Sequence, residues 1–294
     1  MKIKETAPRR VFNAFNTAFL VLLSAVTLFP FVNVVAGSFA TSLEMIERPF
    51  MLFPRAPTLL SYRYIFSTST FTRSLSVTIY ITIIGTIINL IMTFLMAYPL
   101  SYKELFGRKI LMNLIVFTML FSGGMIPGYI NLKQLGMIDT YWSLLLPGAI
   151  GTTYLIILKN FIQQIPAELK DAARMDGASE FFILVRIIVP LSLPVLATFT
   201  LFYAVRHWNS YFNCLLYMND ARKWTVQVLL RQIIMQAQGL GDSEAMRGEG
   251  ARVIIPPEGI KNACVIVATL PILVVYPFLQ KYFAKGALLG SIKG

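Results

Sequence analysis

IPAELKDAARMDGASEFFILVRIIVPLSLP, residues 165–194, is the one long run that mixes charges, small residues and an apolar helical stripe in an otherwise greasy chain. Ile165, Leu169, Ala172 and Ala173 fall at i, i+4, i+7 and i+8, one face of a helix. Lys170 and Arg174 share another face. Pro166 suits a first helical turn and Gly177 a helix stop. The helix so predicted is amphipathic and too short to cross a membrane. It is either a connector lying on lipid headgroups or a docking helix for a partner protein, and the flanking sequence bears on which.

Those flanks are membrane-like. The chain has 294 residues, 56% hydrophobic and 14% charged, against about 25% charged in a soluble domain. The apolar runs are continuous rather than alternating, which predicts an all-α polytopic membrane protein and not a β-barrel. Spans are expected at about 12–36, 75–99, 110–130, 142–161, 187–208 and 263–282. The first reads as an uncleaved span, because a signal-peptide core runs to only about 7–15 residues. A single transmembrane domain, 1–294, would then carry a charged loop at 162–186 and a large loop at 209–262.

Orientation follows from Lys and Arg. With the N-terminus cytoplasmic, the inside segments hold fourteen of the 26 basic residues. Outside, once the long loop is set aside, there are five. Both termini and the 165–186 stretch are then cytoplasmic. The net charge of +12 is accounted for by this topology and by lipid headgroups, with no nucleic-acid partner.

Several function classes fall away. Cys214 and Cys264 are far apart and His207 is the one histidine, which leaves no metal cluster and disfavours a membrane-embedded enzyme. No span carries a charge near its centre, which argues against an ion-coupled stand-alone carrier. No phosphate-binding Gly-Lys-Ser/Thr loop occurs, so any ATP is hydrolysed elsewhere.

Two further stretches carry chemistry. Ser122-Gly123-Gly124 followed by Pro127 is either a close helix contact or a bend lining a path. The fifth span ends in Tyr203, His207, Trp208, Asn209, Tyr211, Phe212 and Asn213. Rings beside amides suit sugars, which stack their apolar faces and bond through their hydroxyls; an interfacial aromatic belt is the alternative. His207 by itself reads as a polar interfacial residue. Beyond it, Trp224–Gln238 has helical spacing and 239–250 a flexible composition. The loop suits either a soluble extracytoplasmic partner or a lid.

Asp171-Ala172-Ala173, three residues, Gly177, nine residues, then Ile187, Val189 and Pro190 resembles the cytoplasmic signature of ABC importer permeases, Glu-Ala-Ala…Gly…Ile-x-Leu-Pro. Asp171 stands for Glu and Val189 for Leu, keeping charge sign and apolarity, and Glu168 lies one turn earlier. Met125-Ile126-Pro127, Leu145-Leu146-Pro147-Gly148-Ala149, Phe202-Tyr203-Ala204-Val205 and the ending Phe283–Gly294 resemble the carbohydrate-uptake branch. Within it the chain is similar to the smaller permease of maltose-type systems and to permeases for oligosaccharides from complex polysaccharides, the alginate importer among them.

The resemblance implies a type I importer fold in a bacterial cytoplasmic membrane. It implies a homologous second permease, two ATPase subunits and an extracytoplasmic solute-binding protein. ATP and Mg would reside in the ATPase, with no cofactor in this chain. Glu168, Leu169, Asp171, Ala172, Ala173, Met175, Asp176, Gly177 and Ala178 would form the ATPase-coupling site. Tyr203, Trp208, Asn209, Tyr211 and Asn213 would line the substrate path.

Overall fold

The computed structural model describes residues 7–48, 50–239 and 257–291. It is helical throughout, with no strand among the described residues. Three helices are long and apolar enough to cross a membrane: Pro8–Ser38, Ser69–Ser101 and Glu258–Val275. Two bent pairs, each counted as one span, raise the number to five.

The chain divides into two compact units, Met1–Ser69 with Leu230–Thr269, and Thr70–Leu229 with Leu270–Gly294. In the first, the helix Ala7–Ser38 exposes Val11, Phe15, Phe19 and Leu22 to its surroundings. A helix apolar all round belongs in lipid. Its C-terminal end is tied down by short bonds. Asn33 Oδ1 accepts from the Met51 amide at 2.9 Å, and Ser38 Oγ meets the Tyr62 hydroxyl at 2.7 Å. The buried Glu44 accepts the Arg55 amide at 2.7 Å, which closes the loop after this helix.

The second unit is organised by the helix Ser69–Ser101. Ile79, Ile83, Ile87, Ile91 and Leu95 recur every four residues and are all exposed. Ser74, Thr78, Thr86, Asn89 and Thr93 are buried. That reverses the pattern of a soluble helix: the apolar stripe meets hydrocarbon, and polar groups meet each other inside. Buried polar groups need partners; Thr78, Asn89 and Thr93 have them, while the Thr86 hydroxyl has none among the described residues. Thr78 Oγ1 donates to the Ser74 carbonyl at 2.8 Å and accepts the Val226 amide at 2.8 Å. Thr93 Oγ1 lies 2.8 Å from the Tyr203 hydroxyl.

Three expected spans are broken. The run 110–130 is Arg108–Leu120 and Met125–Gln134, bent by 116° at Phe121–Gly124. Within this chain the glycines of this break have no neighbour close enough for tight helix packing, and the chain bends there. The expected span 142–161 is not one helix. Trp142–Leu145 stops before Pro147-Gly148, and the chain restarts as the 13-residue Thr152–Gln164. Hydropathy does not register this interruption, but proline has no amide to donate and Gly148 has φ of +74°. The run 187–208 begins in a π-helical turn, Leu184–Ile188, and bends by 81° before Leu193–Trp208. The helix expected over Trp224–Gln238 runs Val226–Gly239. The composition-flexible residues 240–250 and the terminal residues 292–294 lie outside the described residues.

Candidate functional site

The stretch at 165 folds as expected locally. Ala167–Met175 is a nine-residue helix with Pro166 at its N-cap. Its stop is a Schellman turn. The Ala178 amide donates to the Ala173 carbonyl at 3.0 Å and the Gly177 amide to the Arg174 carbonyl at 2.9 Å, with Gly177 at φ +81°. A Cβ on Gly177 would meet nothing within 4 Å in this chain. Within this chain the glycine is therefore needed for its left-handed backbone. Ser179 Oγ then accepts the Phe182 amide at 3.3 Å and caps the next helix.

The face assignment differs from the one expected. Lys170 is only 7% exposed, with Nζ 5.0 Å from the Tyr102 ring centre, and Arg174 Cζ lies 5.2 Å from the same ring. Both cations thus turn toward the protein, because an aromatic face receives them. Ile165, Ala173 and Ala178 also pack inward, against the cluster built on Ala97, Tyr98, Leu158 and Ile183. Leu169 (46% exposed) and Met175 (88% exposed) point outward, as do Glu168, Asp171, Ala172 and Asp176. The exposed side is therefore mixed apolar and acidic, and the inner side is basic.

A polar network holds the inner side. Arg174 donates to Glu180 at 2.8 Å and to Asp171 at 3.0 Å. Glu180 also accepts from the Tyr98 hydroxyl at 2.6 Å and the Tyr102 hydroxyl at 3.3 Å. Its bond from Arg174 holds the Glu180 carboxyl below its ordinary pKa. Burial, then repulsion from Arg174, lowers that of the Lys170 ammonium.

The residues expected on the substrate path separate into two groups. Asn209, Tyr211 and Asn213 line a polar cavity of about 190 Å³, with Arg206, His207 and Leu144. Tyr203 is fully buried, and its hydroxyl accepts the Gly151 amide at 3.1 Å besides meeting Thr93. It packs on Tyr154, ring centres 4.9 Å apart. Trp208, 5% exposed, borders an apolar cavity of about 230 Å³ with Thr82 and Leu201. Neither ring lies at a surface, so neither forms an interfacial belt nor lines the polar cavity.

His207 is likewise interior, and the expected interfacial position is not found. Its Nε2–H donates to Asn89 Oδ1 at 2.5 Å. Asn89 Nδ2 in turn donates to the carbonyls of Gly148 at 3.0 Å and Ala149 at 2.7 Å. Asn89 is absent from the sequence reading, although an amide within an apolar run is a signal in its own right. Elsewhere in this unit, Asp139 (φ 59°) accepts the amides of Asn219 and Asp220 at 3.1 Å and the Lys223 ammonium at 2.7 Å.

Comparison with known proteins bears on this arrangement. Residues 82–288 match the model of the binding-protein-dependent transport system inner membrane component family. Protein LplC of Bacillus subtilis is 53% identical over 98% of this chain and 97% of its own length. The polygalacturonan/rhamnogalacturonan transport system permease protein YtcP of the same organism is 49% identical over 97% and 99%. The crystal structure of a bacterial ABC transporter involved in the import of the acidic polysaccharide alginate superimposes with a TM-score of 0.89. That match has 29% identity and covers 96% of this chain and all of the other.

Proposed function

The chain belongs to the family of binding-protein-dependent transport system inner membrane components, and we propose that it is one of two homologous permeases of a type I importer for an oligosaccharide. A solute-binding protein delivers the sugar from outside. Two ATPase subunits, holding ATP and Mg, drive transport from the cytoplasmic side. This chain is the non-catalytic membrane component. It sits in a bacterial cytoplasmic membrane with six crossings, the fourth being the broken segment 142–164, and with both termini inside. The sugar reading draws on the oligosaccharide-type relatives and on the amide-lined cavity at Asn209 and Asn213.

The observation that carries the coupling role is the helix Ala167–Met175. It is held from one side by Tyr102, Arg174 and Glu180, while Leu169 and Met175 stand open. A short helix whose open face sets Leu169 and Met175 among acidic side chains fits a groove on a partner that offers apolar and basic groups. When the ATPase pair closes, such a helix carries the motion as a rigid body. The lack of a mid-span charge and the open helix both weigh against a stand-alone carrier.

Co-expression with the ATPase tests this. Leu169→Asp and Met175→Asp are expected to abolish its co-purification and sugar-stimulated hydrolysis while the permease pair still assembles. Retention of both activities in both variants would remove the coupling assignment.

A further inference from the structure

We infer that Arg206 is a specificity-determining residue that anchors the carboxylate of an acidic sugar in the cavity at the end of the helix Leu193–Trp208. The inference rests on the oligosaccharide-importer reading and deepens it.

Arg206 is exposed on the cavity wall. A guanidinium offers five N–H donors in a flat fork. Among the described residues it makes one hydrogen bond, Nη1–H to the Gly148 carbonyl at 3.3 Å. Arg174 and Arg222 each have a carboxylate partner, but no ion pair among the described residues involves Arg206. Gly148 seats the fork, since a Cβ there would collide with the guanidinium.

The surroundings specify what else the ligand must be. Asn209 and Asn213 supply amides, Tyr211 a ring and a hydroxyl, and Phe212 is 55% exposed. About 190 Å³ is roughly six water volumes, the scale of one sugar ring. A carboxylate matches the fork with two parallel bonds, and a hydroxylated ring matches the amides and the aromatic faces. A lipid phosphate would satisfy the guanidinium but leave the amides and rings without a role. The charge-assisted pair supplies the selectivity, because a neutral sugar offers the guanidinium no anion.

The test uses the complete importer in liposomes, with its binding protein. Uptake of trigalacturonate and trimannuronate is compared with that of their methyl esters. Each variant is referred to wild type for the same probe, which cancels the binding protein's own preference. Arg206→Gln is expected to raise KM for the acids about 10- to 100-fold and for the esters less than about twofold. Arg206→Lys should fall between. Arg222→Gln, whose partner Asp220 lies outside the cavity, should leave the ratio unchanged. Co-purification with the ATPase controls for folding.

Equal shifts for acid and ester would assign Arg206 a structural role and overturn the inference. So would a matching shift in Arg222→Gln, or an effect that follows anionic lipid content rather than sugar charge. Wild-type uptake of esters alone would also overturn it and leave the importer reading standing. Uptake of neither would sink the oligosaccharide reading itself.

Discussion

Arg174 and Glu180 lie on opposite sides of the Gly177 turn, and their side chains meet at 2.8 Å. The pair closes the turn and joins it, through the Tyr98 and Tyr102 hydroxyls, to the end of the helix Ser69–Ser101. An exposed pair of this kind contributes little to stability, about 1 kcal/mol or less. What it fixes is the direction in which the short helix points.

Arg174→Ala and Glu180→Gln should therefore separate stability from coupling. Thermal unfolding of the purified complex is expected to change little, and the ATPase should still bind. The number of ATP molecules hydrolysed per sugar imported should rise. Measuring hydrolysis and uptake in the same vesicles gives that ratio, and an unchanged ratio would reduce the network to decoration.

Gly85 faces the imidazole of His207 across the buried polar stripe. An added Cβ would sit 2.5 Å from both Cε1 and Nε2. Gly85→Ala is expected to destabilise by about 1–3 kcal/mol through overpacking. In a His207→Ala background the same change should cost much less, because the colliding ring is gone. A double-mutant cycle on thermal unfolding checks the coupling; strictly additive effects would place the strain elsewhere.

The Asp139 loop should respond to acid. Its bond to the Lys223 ammonium, then those from the Asp220 and Asn219 amides, holds the carboxyl below the ordinary carboxylate range. Folding therefore gains from its ionised form above about pH 4. That gain is lost as pH falls through the depressed folded value. Amide exchange at Asn219 and Asp220 should accelerate more between pH 5 and pH 3 than intrinsic exchange predicts. In Asp139→Asn the excess should vanish.

Much of this was legible in the residues. Continuous apolar runs indicate membrane helices, and the spacing from Asp171 to Pro190 indicates the family. Gly177 stops its helix where composition predicts, and Val226–Gly239 forms where the periodicity lies. The orientation of the 167–175 helix was not legible. Leu169 looks like a core residue and Lys170 like a solvated one, until Tyr102, far away in sequence, supplies a ring for the cation. Likewise Tyr203 and Trp208 look like surface rings because they neighbour Asn209, yet helix packing buries both. The buried chain from Asn89 to His207 joins residues 118 apart, a pairing that no local pattern encodes.

The outward isoleucine stripe has a mechanical consequence. From Thr78 to Tyr98 the helix Ser69–Ser101 runs without a break, which at helical rise is about 30 Å. One end is fastened to the 167–175 helix by Tyr98 and Glu180, the other to Val226 by Thr78. Its outward side is mostly aliphatic, with Ile79, Ile83, Ile87, Ile91 and Leu95 exposed. Such a rod is a lever: a tilt of about 10° at the Tyr98 end sweeps the Thr78 end by about 5 Å over that length. One rigid element can thus turn a small push at the Tyr98 end into a displacement as large as a helical turn at the other.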